Sequence, residues 1–417
     1  MNKISENYIN NQSKMTINNS KNNKYELLAP AGNFECLIAA INAGADAVYF
    51  GLKDFNMRYS ADNFRLKDID RIKDICKKNN TKAYLAINTI IYDNELKKIE
   101  SIIKKVKNKV DAIICWDIAV VNLCRKYKIP FHISTQASVS NAEAAKFFKN
   151  LGAKSITLAR ELNLKQIKEI SKIIPVCIFI HGALCVSVSG RCFTSQFLHN
   201  RSANRGKCMH PCRKSYTVRD DEGNEVKVEN NKIFSAKDLC TLPFIEKLKK
   251  IATSFKIEGR NKDPEYVDTT VRVYRRALDK KLDKKEINEG IEELKKVYNK
   301  GFSSGFFIKM PNVDDFSKVD NSLATEKKEF IGNVVNYYAK PSVAAVYICS
   351  GSLKIGDEIL ITGKKIGVKR HVIESMEIHK NPVQEVSKGQ YVGIKVPKCS
   401  AGNKIYKISQ LRIFKRL

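Results

Sequence analysis

The amino-acid sequence predicts an α/β protein in which a parallel barrel is followed by a small C-terminal β-barrel domain. Two observations predict this fold class. From residue 25, short apolar runs alternate with amphipathic, charged stretches, and from about residue 331 the chain changes to β-rich segments with tight turns. Parallel strands need long crossover connections, which are usually helices, so this alternation favours a parallel sheet.

Eight apolar runs are candidate strands of the barrel. In chain order they are ELLAPAG, AVYFG, AYLAINTI, DAIICWD, PFHISTQAS, SITLARE, PVCIFIHG and SFKIEGR. The segments between them, such as LKDIDRIKDICKKNN, carry apolar residues at helical spacing. Eight such units predict a closed (β/α)8-like barrel of the triosephosphate-isomerase (TIM) type, whose active face lies at the carboxyl ends of the strands.

The interval between the seventh and eighth runs, residues 182–253, is too long for one loop and one helix and contains the densest cysteines. We interpret it as a functional insertion at the barrel mouth. Residues 1–24 are rich in Asn, Ser and Lys and lack an apolar segment, which predicts a disordered tail rather than a signal peptide. The expected organisation is therefore a tail (1–24), a barrel domain (25–330) with the insertion, and a basic β-barrel domain (331–417).

The chain is strongly basic. Its 74 Lys and Arg residues against 44 Asp and Glu give a formal net charge of +30, which attracts polyanions. Residues 331–417 contain 15 Lys and Arg against five Asp and Glu, about a third of that excess. A compositional bias of the source genome explains many lysines but not so large an excess over acids, so RNA is the expected partner.

Cellular location follows from the apolar runs. The longest, residues 173–188, is interrupted by Pro175, His181 and Gly182 and is too short to span a membrane. We therefore expect a cytoplasmic protein that does not bind membranes. In that compartment the 12 cysteines are expected to be reduced thiols rather than disulfides.

Five cysteines of the insertion form a candidate metal site. The segments HGALCVSVSGRCFTS, NRGKCMHPCRKSY and SAKDLC contain Cys185, Cys192, Cys208, Cys212 and Cys240. Thiolates suit zinc or an iron-sulfur cluster. A zinc ribbon usually has two close pairs, whereas only Cys208 and Cys212 are close here, so the spacing favours an iron-sulfur cluster. The alternative is that these are buried, reduced thiols, as expected for most of the other cysteines.

Polar residues follow several predicted strands and should converge at the barrel mouth. Arg160, Lys256 and Arg260 are the candidate binding cations for an anionic ligand. The candidate catalytic residues are His181, Glu258 and Arg260. Glu258 and His181 could orient a base or shuttle a proton, and Arg260 is the cation that we rank first for binding the anionic ligand. For His181 the alternative is a packed, hydrogen-bonded residue.

Several of these segments together resemble the collagenase-like peptidase family U32. They are HGALCVSVSGRCFTS, NRGKCMHPCR, FSAKDLC and FKIEGR, with ELLAPAG, AGADAVYFG, FNMRYSADNF and STQASVSN, and the resemblance runs from about Glu26 to the C-terminus. The best understood members resemble prephenate-dependent hydroxylases of the tRNA wobble uridine at C5 or of a ribosomal cytidine.

The resemblance implies a 4Fe-4S cluster, prephenate as co-substrate, and tRNA or ribosomal RNA as substrate. It implies Cys185, Cys192 and Cys208 as cluster ligands, with Cys240 as the fourth and Cys212 as its rival. The two carboxylates of prephenate would need the cations at the mouth. In one departure, Cys177 stands where the family pattern has a glutamate eight residues before the first ligand cysteine. A general acid or base would then be missing there.

Two other functions remain open. A U32-type peptidase would need a nucleophile, a base and an orienting group, and no Ser or Cys motif supplies that set. A non-catalytic iron-sulfur protein that binds RNA or acts as a scaffold is the third reading.

Overall fold

The computed structural model describes residues 24–214, 216–226, 234–319 and 321–411. The predicted tail, apart from Lys24, lies outside the described residues, as do residues 412–417 of the predicted C-terminal domain. In the first 303 residues, the strands are β1 Glu26–Pro30, β2 Ala47–Gly51, β3 Lys82–Ala86, β4 Ala112–Cys115, β5 Phe131–Ile133, β6 Ser155–Thr157, β7 Val176–Gly182, β8 Val218–Arg219, β9 Glu225–Val226, β10 Asp238–Cys240, β11 Ser254–Ile257 and β12 Phe302–Ser303.

Strands β1 to β7 pair in parallel in chain order, and β11 closes the barrel by pairing in parallel with both β7 and β1. All eight predicted runs therefore contain barrel strands, and the predicted TIM-type barrel is confirmed. The register joins Lys256 of β11 to Phe179 of β7 and to Leu28 of β1. Side chains alternate across each strand, so one set faces the helices and the other fills the barrel.

The helices are α1 Phe34–Asn42, α2 Ile69–Lys78, α3 Leu96–Val106, α4 Ile118–Lys126, α5 Ala142–Asn150, α6 Leu164–Ser171, α7 Thr194–His199, α8 Ile245–Leu248, α9 Pro264–Asp279 and α10 Lys284–Lys296. Side-chain caps set several starts: Asn33 accepts a hydrogen bond from Cys36 N at 2.9 Å before α1. Apolar residues at helical spacing then turn one face inward, as Ile99, Ile103 and Val106 do in α3.

Two apolar layers stabilise the barrel. The larger one lies between the strands and the helices and includes Phe50 and Phe255. A smaller buried cluster fills the barrel interior and contains Leu28, Tyr49, Tyr84, Ala112, Ile114 and Cys177. Cys177 is 4% exposed and is thus part of the packed interior.

The insertion adds to the barrel sheet one strand that the sequence pattern did not reveal. Strand β10 pairs antiparallel with β7, joining Cys240 to His181, and pairs in parallel with β12. The short hairpin β8–β9 and helix α7 also belong to the insertion. The sheet therefore continues beyond the closed barrel at β7.

The C-terminal part is an antiparallel β domain, as predicted. Its strands are β13 Glu326–Tyr338, β14 Val343–Ile348, β15 Ser352–Lys354, β16 Glu358–Gly363, β17 Gly367–Val372, β18 Met376–Ile378, β19 Asn381–Pro382, β20 Glu385–Ser387, β21 Tyr391–Lys395 and β22 Lys404–Gln410. Eight of them form one sheet in the order β17-β16-β22-β13-β14-β21-β18-β19. Its β17 packs on helix α1, where a Cβ at Gly367 would lie 2.7 Å from Ala39 N.

Across the described ranges, none of the helices combines the length and the apolar character needed to cross a lipid bilayer.

Candidate active site

A cavity of about 620 Å³ opens at the carboxyl ends of the barrel strands. Its floor contains Tyr49 and Phe179 from strands β2 and β7, its walls include Arg160 and Glu258 just after strands β6 and β11, and the insertion covers it. This is the mouth at which the sequence placed the site, and TIM-type enzymes use this face for catalysis.

Glu258 is the centre of an ion-pair network. Arg58 donates to it with Nε at 3.2 Å from Oε1 and Nη2 at 3.0 Å from Oε2, and Arg160 donates from Nη2 at 3.1 Å. Burial alone would raise the pKa of Glu258, but the charges of Arg58, Arg160 and Arg260 lower it to about 2. Glu258 is therefore an ionised carboxylate at neutral pH and positions the two arginines.

Arg260 is a buried cation with incomplete hydrogen bonding. It is 3% exposed, and its Nε and Nη1 have no hydrogen-bond partner among the described residues. Burial lowers its pKa to about 10, so it still remains cationic at neutral pH. The bare Cα of Gly51 leaves room for it, since a Cβ there would overlap Arg260 Nη1. Buried donors without partners are costly, and Arg260 lines the cavity, so an anion bound there would offset part of this cost.

Lys256 lies beneath these groups, between two aromatic rings. Its Nζ is 4.1 Å from the centroid of Tyr49 and 5.2 Å from that of Phe179. Burial lowers the pKa of Lys256 to about 8. Arg160 also stacks on Phe179, with its guanidinium carbon 3.8 Å from the ring centroid. The three cations predicted from strand ends are therefore brought together.

Amide and hydroxyl side chains line another wall of the cavity. Asn88 donates from Nδ2 to Gln136 Oε1 at 3.2 Å and accepts from Met57 N at 3.1 Å. Trp116, which follows β4, donates to Asn88 O at 3.0 Å. Asp117, also at a strand end, accepts from Ala119 N at the start of α4. The wall holds the loop that carries Arg58 in place.

Four cysteines of the insertion line the same cavity: Cys185, Cys192, Cys208 and Cys212. The pKa of Cys212 is raised by burial and next by the neighbouring Cys185. Cys185 also acts electrostatically on Arg58 and Arg160, which places it beside the Glu258 network. Within the described ranges, no three His, Cys, Asp or Glu side chains are spaced closely enough to hold a metal ion. The four thiols nevertheless supply the soft donor set that an iron-sulfur cluster requires.

Cys240 and His181 lie apart from this cavity. Cys240 is buried in β10, where the hydroxyl of Tyr274 is 3.6 Å from its Sγ. His181 is 2% exposed, its Nδ1 is 3.4 Å from the same hydroxyl, and burial lowers its pKa to about 3. Neither residue lines the cavity. His181 is therefore a packed residue near the hydroxyl of Tyr274, which was the alternative to a role in proton transfer.

Two loops fix the insertion over the mouth. Arg205 donates from Nη1 to Glu95 Oε2 at 2.7 Å and stacks on Tyr92, with its guanidinium carbon 4.6 Å from the ring centroid. Gly206 accepts from Tyr59 N at 3.1 Å and has φ of 83°. A Cβ at Gly206 would overlap Asn56 O, so only glycine allows this approach.

Sequence reasoning did not pair Arg58 with Glu258, because Arg58 precedes that residue by 200 positions and lies in the loop after β2. Other cavity residues were missed. His210, Arg213 and Lys262 line the cavity as well. The sequence could have indicated them, because His210 and Arg213 lie in the cysteine-rich segment and Lys262 closely follows FKIEGR. Arg213 and Lys262 add to the cations of the cavity, whereas burial lowers the pKa of His210 to about 4 and leaves it neutral at pH 7.

These features define a class: a TIM-type barrel with an arginine-bound glutamate at its mouth and a cysteine-rich covering insertion. The chain belongs to peptidase family U32, whose family model matches residues 32–316. It is 40% identical to a collagenase of Porphyromonas gingivalis over 410 residues, covering 93% of this chain and 99% of that protein.

Other relatives carry names from RNA modification. The chain is 33% identical to tRNA hydroxylation protein P1 of Bacillus subtilis, covering 85% of this chain and 87% of that protein. It is 40% identical over 260 residues to the 23S rRNA 5-hydroxycytidine C2501 synthase of Escherichia coli, covering 61% of this chain and 39% of that protein. The family therefore includes proteins named for two different activities.

Proposed function

We propose that this protein is an RNA-modifying enzyme that hydroxylates C5 of the wobble uridine of tRNA, with prephenate as co-substrate and a 4Fe-4S cluster as cofactor. The names of the tRNA hydroxylation and rRNA hydroxycytidine relatives support the RNA-hydroxylating class. The net charge of +30 supports a polyanionic substrate.

The observation that carries the proposal is the charge of the cavity. Among the described residues, Arg58, Arg160, Lys256 and Arg260 face a single carboxylate, Glu258, and two donors of Arg260 have no partner. A water-restricted site with this surplus favours a small dianion over a neutral peptide. Prephenate, with two carboxylates, has the complementary charge.

The residues then have distinct roles. Glu258 stays ionised and holds Arg58 and Arg160 in fixed positions, as its pKa of about 2 indicates. Arg260 and Arg160 would bind the carboxylates, since each has buried nitrogen donors without a partner in the part of the chain that the structure describes. Tyr49 and Phe179 exclude water beneath the bound co-substrate.

Cys185, Cys192 and Cys208 would hold the cluster, and the position of Cys212 in the same cavity favours it over Cys240 as the fourth ligand. When bound, such a cluster would supply one-electron chemistry or a fixed structural centre next to the arginines. The glycines at positions 190 and 206, both with positive φ, let the thiol-bearing loops approach each other.

The peptidase alternative is favoured by the collagenase relative. A cysteine or serine peptidase needs a nucleophile hydrogen-bonded to a base. In the described part of the chain, however, no Ser hydroxyl or Cys thiol is hydrogen-bonded to a histidine ring: His181 contacts Tyr274, and His371 contacts Lys395 O. Release of peptides from denatured collagen by the pure, metal-free protein would revive this alternative.

The deciding experiment is mass spectrometry of tRNA nucleosides from cells with and without the gene. We expect hydroxylated uridine and its methylated derivative to disappear in the deletion strain and to return with the intact gene. The Arg260→Ala and Cys192→Ala variants should fold but fail to restore the nucleoside. An unchanged profile in the deletion strain would overturn the tRNA assignment and redirect the search to ribosomal RNA or to a scaffold role.

A further inference from the structure

Lys256 occupies an unusual place for a lysine. It is 5% exposed, lies on barrel strand β11, and turns its Nζ into the cavity between the rings of Tyr49 and Phe179. Within the described part of the chain it forms no ion pair, because Glu258 is held by Arg58 and Arg160. An amine with apolar walls and no carboxylate partner is poorly stabilised as an ammonium ion.

The charged groups around Lys256 also do little to stabilise its ammonium form. The groups that act on Lys256 electrostatically are Cys177 and Glu258, which favour the charged form, and Arg260 and Arg160, which oppose it. Burial raises the pKa of Cys177, so this thiol is uncharged at neutral pH and does not compensate the lysine. With a pKa of about 8, roughly a tenth of Lys256 is a neutral, nucleophilic amine at pH 7.

Two other lysines near the mouth, half-buried Lys262 and buried Lys300, differ in this respect. Lys262 lies over Tyr298, with Nζ 3.0 Å from the ring centroid, and Asp238 acts on it electrostatically. Lys300 donates to Ser235 Oγ at 3.3 Å and does not line the cavity. Of these three lysines, only Lys256 lines the cavity, lies on a barrel strand and is close to the arginines that would bind a carboxylate.

We propose that Lys256 is a nucleophile that forms an imine with a small 2-oxo acid bound in this cavity. The neutral amine attacks the keto carbon, a C–N bond forms, and the carbonyl oxygen leaves as water together with the two amine protons. No oxidant or reductant is needed. Arg260 and Arg160 would hold the adjacent carboxylate through their unpartnered nitrogens, and the aromatic rings would keep bulk water from hydrolysing the imine.

The inference rests on the proposed function only in the choice of substrate, since prephenate is itself a 2-oxo acid. It adds a covalent role for a residue that the proposed function uses as a cation. A lysine that only binds a carboxylate would give the same charge complementarity but no covalent adduct, so the two roles can be separated.

The test is reductive trapping on the full-length protein, purified without oxygen. The protein is incubated with pyruvate or phenylpyruvate, treated with sodium borohydride, digested with trypsin and analysed by mass spectrometry. Because trypsin does not cut after an alkylated lysine, we expect a peptide from Ile251 to Arg260, uncut at Lys256 and heavier by one reduced 2-oxo acid. Borohydride without the acid should give no adduct.

Two variants serve as matched controls. Lys256→Arg keeps the positive charge but cannot form an imine, and should abolish the adduct. Lys262→Arg changes another lysine of the same cavity and should leave it intact. Adduct yields equal in Lys256→Arg and wild type, an adduct chiefly on Lys262, or no adduct on folded wild-type protein would each overturn the proposal. If Lys256→Arg fails to fold, the position of the adduct in the wild-type peptide still shows whether Lys256 is the reacting residue.

The assay contains no RNA, so its outcome is separate from that of the nucleoside measurement. An adduct at Lys256 with an unchanged tRNA profile would overturn the RNA assignment and leave the imine. A lost nucleoside without any adduct would overturn the imine and leave the RNA assignment.

Discussion

Arg160 donates to Glu258 across the barrel mouth, with its Nη2 3.1 Å from Oε2, although the two residues are 98 positions apart. They follow strands β6 and β11, which lie on either side of β7 in the closed barrel. The pair therefore forms only when β11 closes the barrel. Site assembly and barrel closure are thus coupled through one carboxylate.

Replacing that carboxylate should weaken the fold in a pH-dependent way. Glu258 has a folded pKa of about 2, below its unfolded value, so its contribution is present above about pH 4.3 and is lost as pH falls toward 2. We expect Glu258→Gln to lower the free energy of unfolding by on the order of 3 kcal/mol at pH 7 and by less than half of that at pH 3. Urea denaturation at both pH values measures the difference.

Glu143→Gln is the control for that prediction, because Glu143 is an exposed partner of Lys146 on helix α5. It should change stability by less than about 0.5 kcal/mol at either pH. A difference between wild type and Glu258→Gln that stays constant from pH 7 to pH 3 would contradict the electrostatic role of Glu258.

Replacing Arg260 should stabilise the fold and abolish activity, whereas replacing Glu258 should destabilise the fold. Its Nε and Nη1 are buried and have no partner within the described ranges, so removing the charge relieves a desolvation cost. We expect Arg260→Met to raise the free energy of unfolding by about 1 kcal/mol while abolishing uridine hydroxylation in the complementation assay. Chemical denaturation and nucleoside analysis measure the two effects.

Arg275→Met provides the comparison, since Arg275 donates to Asp46 at 2.6 Å and Asp279 at 2.6 Å outside the cavity. Its loss should destabilise the protein and leave the chemistry of the folded fraction unchanged. If Arg260→Met proves as destabilising as Arg275→Met, the guanidinium of Arg260 has a structural partner and is not reserved for a ligand.

The cysteines predict a difference between two variants. Cys212 lines the cavity with Cys185, Cys192 and Cys208, whereas Cys240 packs against Tyr274 in β10. We expect Cys212→Ser to lose most of the iron and acid-labile sulfide of anaerobically purified protein, and Cys240→Ser to retain them. Retention by Cys212→Ser together with loss in Cys240→Ser would restore Cys240 as the fourth ligand.

The barrel and the C-terminal β domain could be predicted from the sequence because both have strong local signals. Apolar runs of strand length alternate with amphipathic helices, and Lys256 and Arg260 follow from strand position alone. The Arg58–Glu258 pair could not be predicted, since it joins a loop after β2 to the end of β11. His181 lay at a strand end in the sequence, but β10 pairs beside it and closes it off from the cavity.

Docking of the insertion yields the last prediction, from two glycines with nearly the same backbone conformation. Gly206 has φ of 83° and no room for a Cβ, which would overlap Asn56 O, whereas a Cβ at Gly223, with φ of 86°, would have no atom of the described residues within 4 Å. Both Gly→Ala variants place an alanine in the left-handed region, which costs about 1 kcal/mol, but only Gly206→Ala also pushes the insertion away from the loop that carries Arg58.

We therefore expect Gly223→Ala to retain iron, protease resistance and hydroxylation, and Gly206→Ala to lose all three. Limited proteolysis of the folded variants measures the opening directly, and equal cleavage rates would show that the insertion does not depend on this contact.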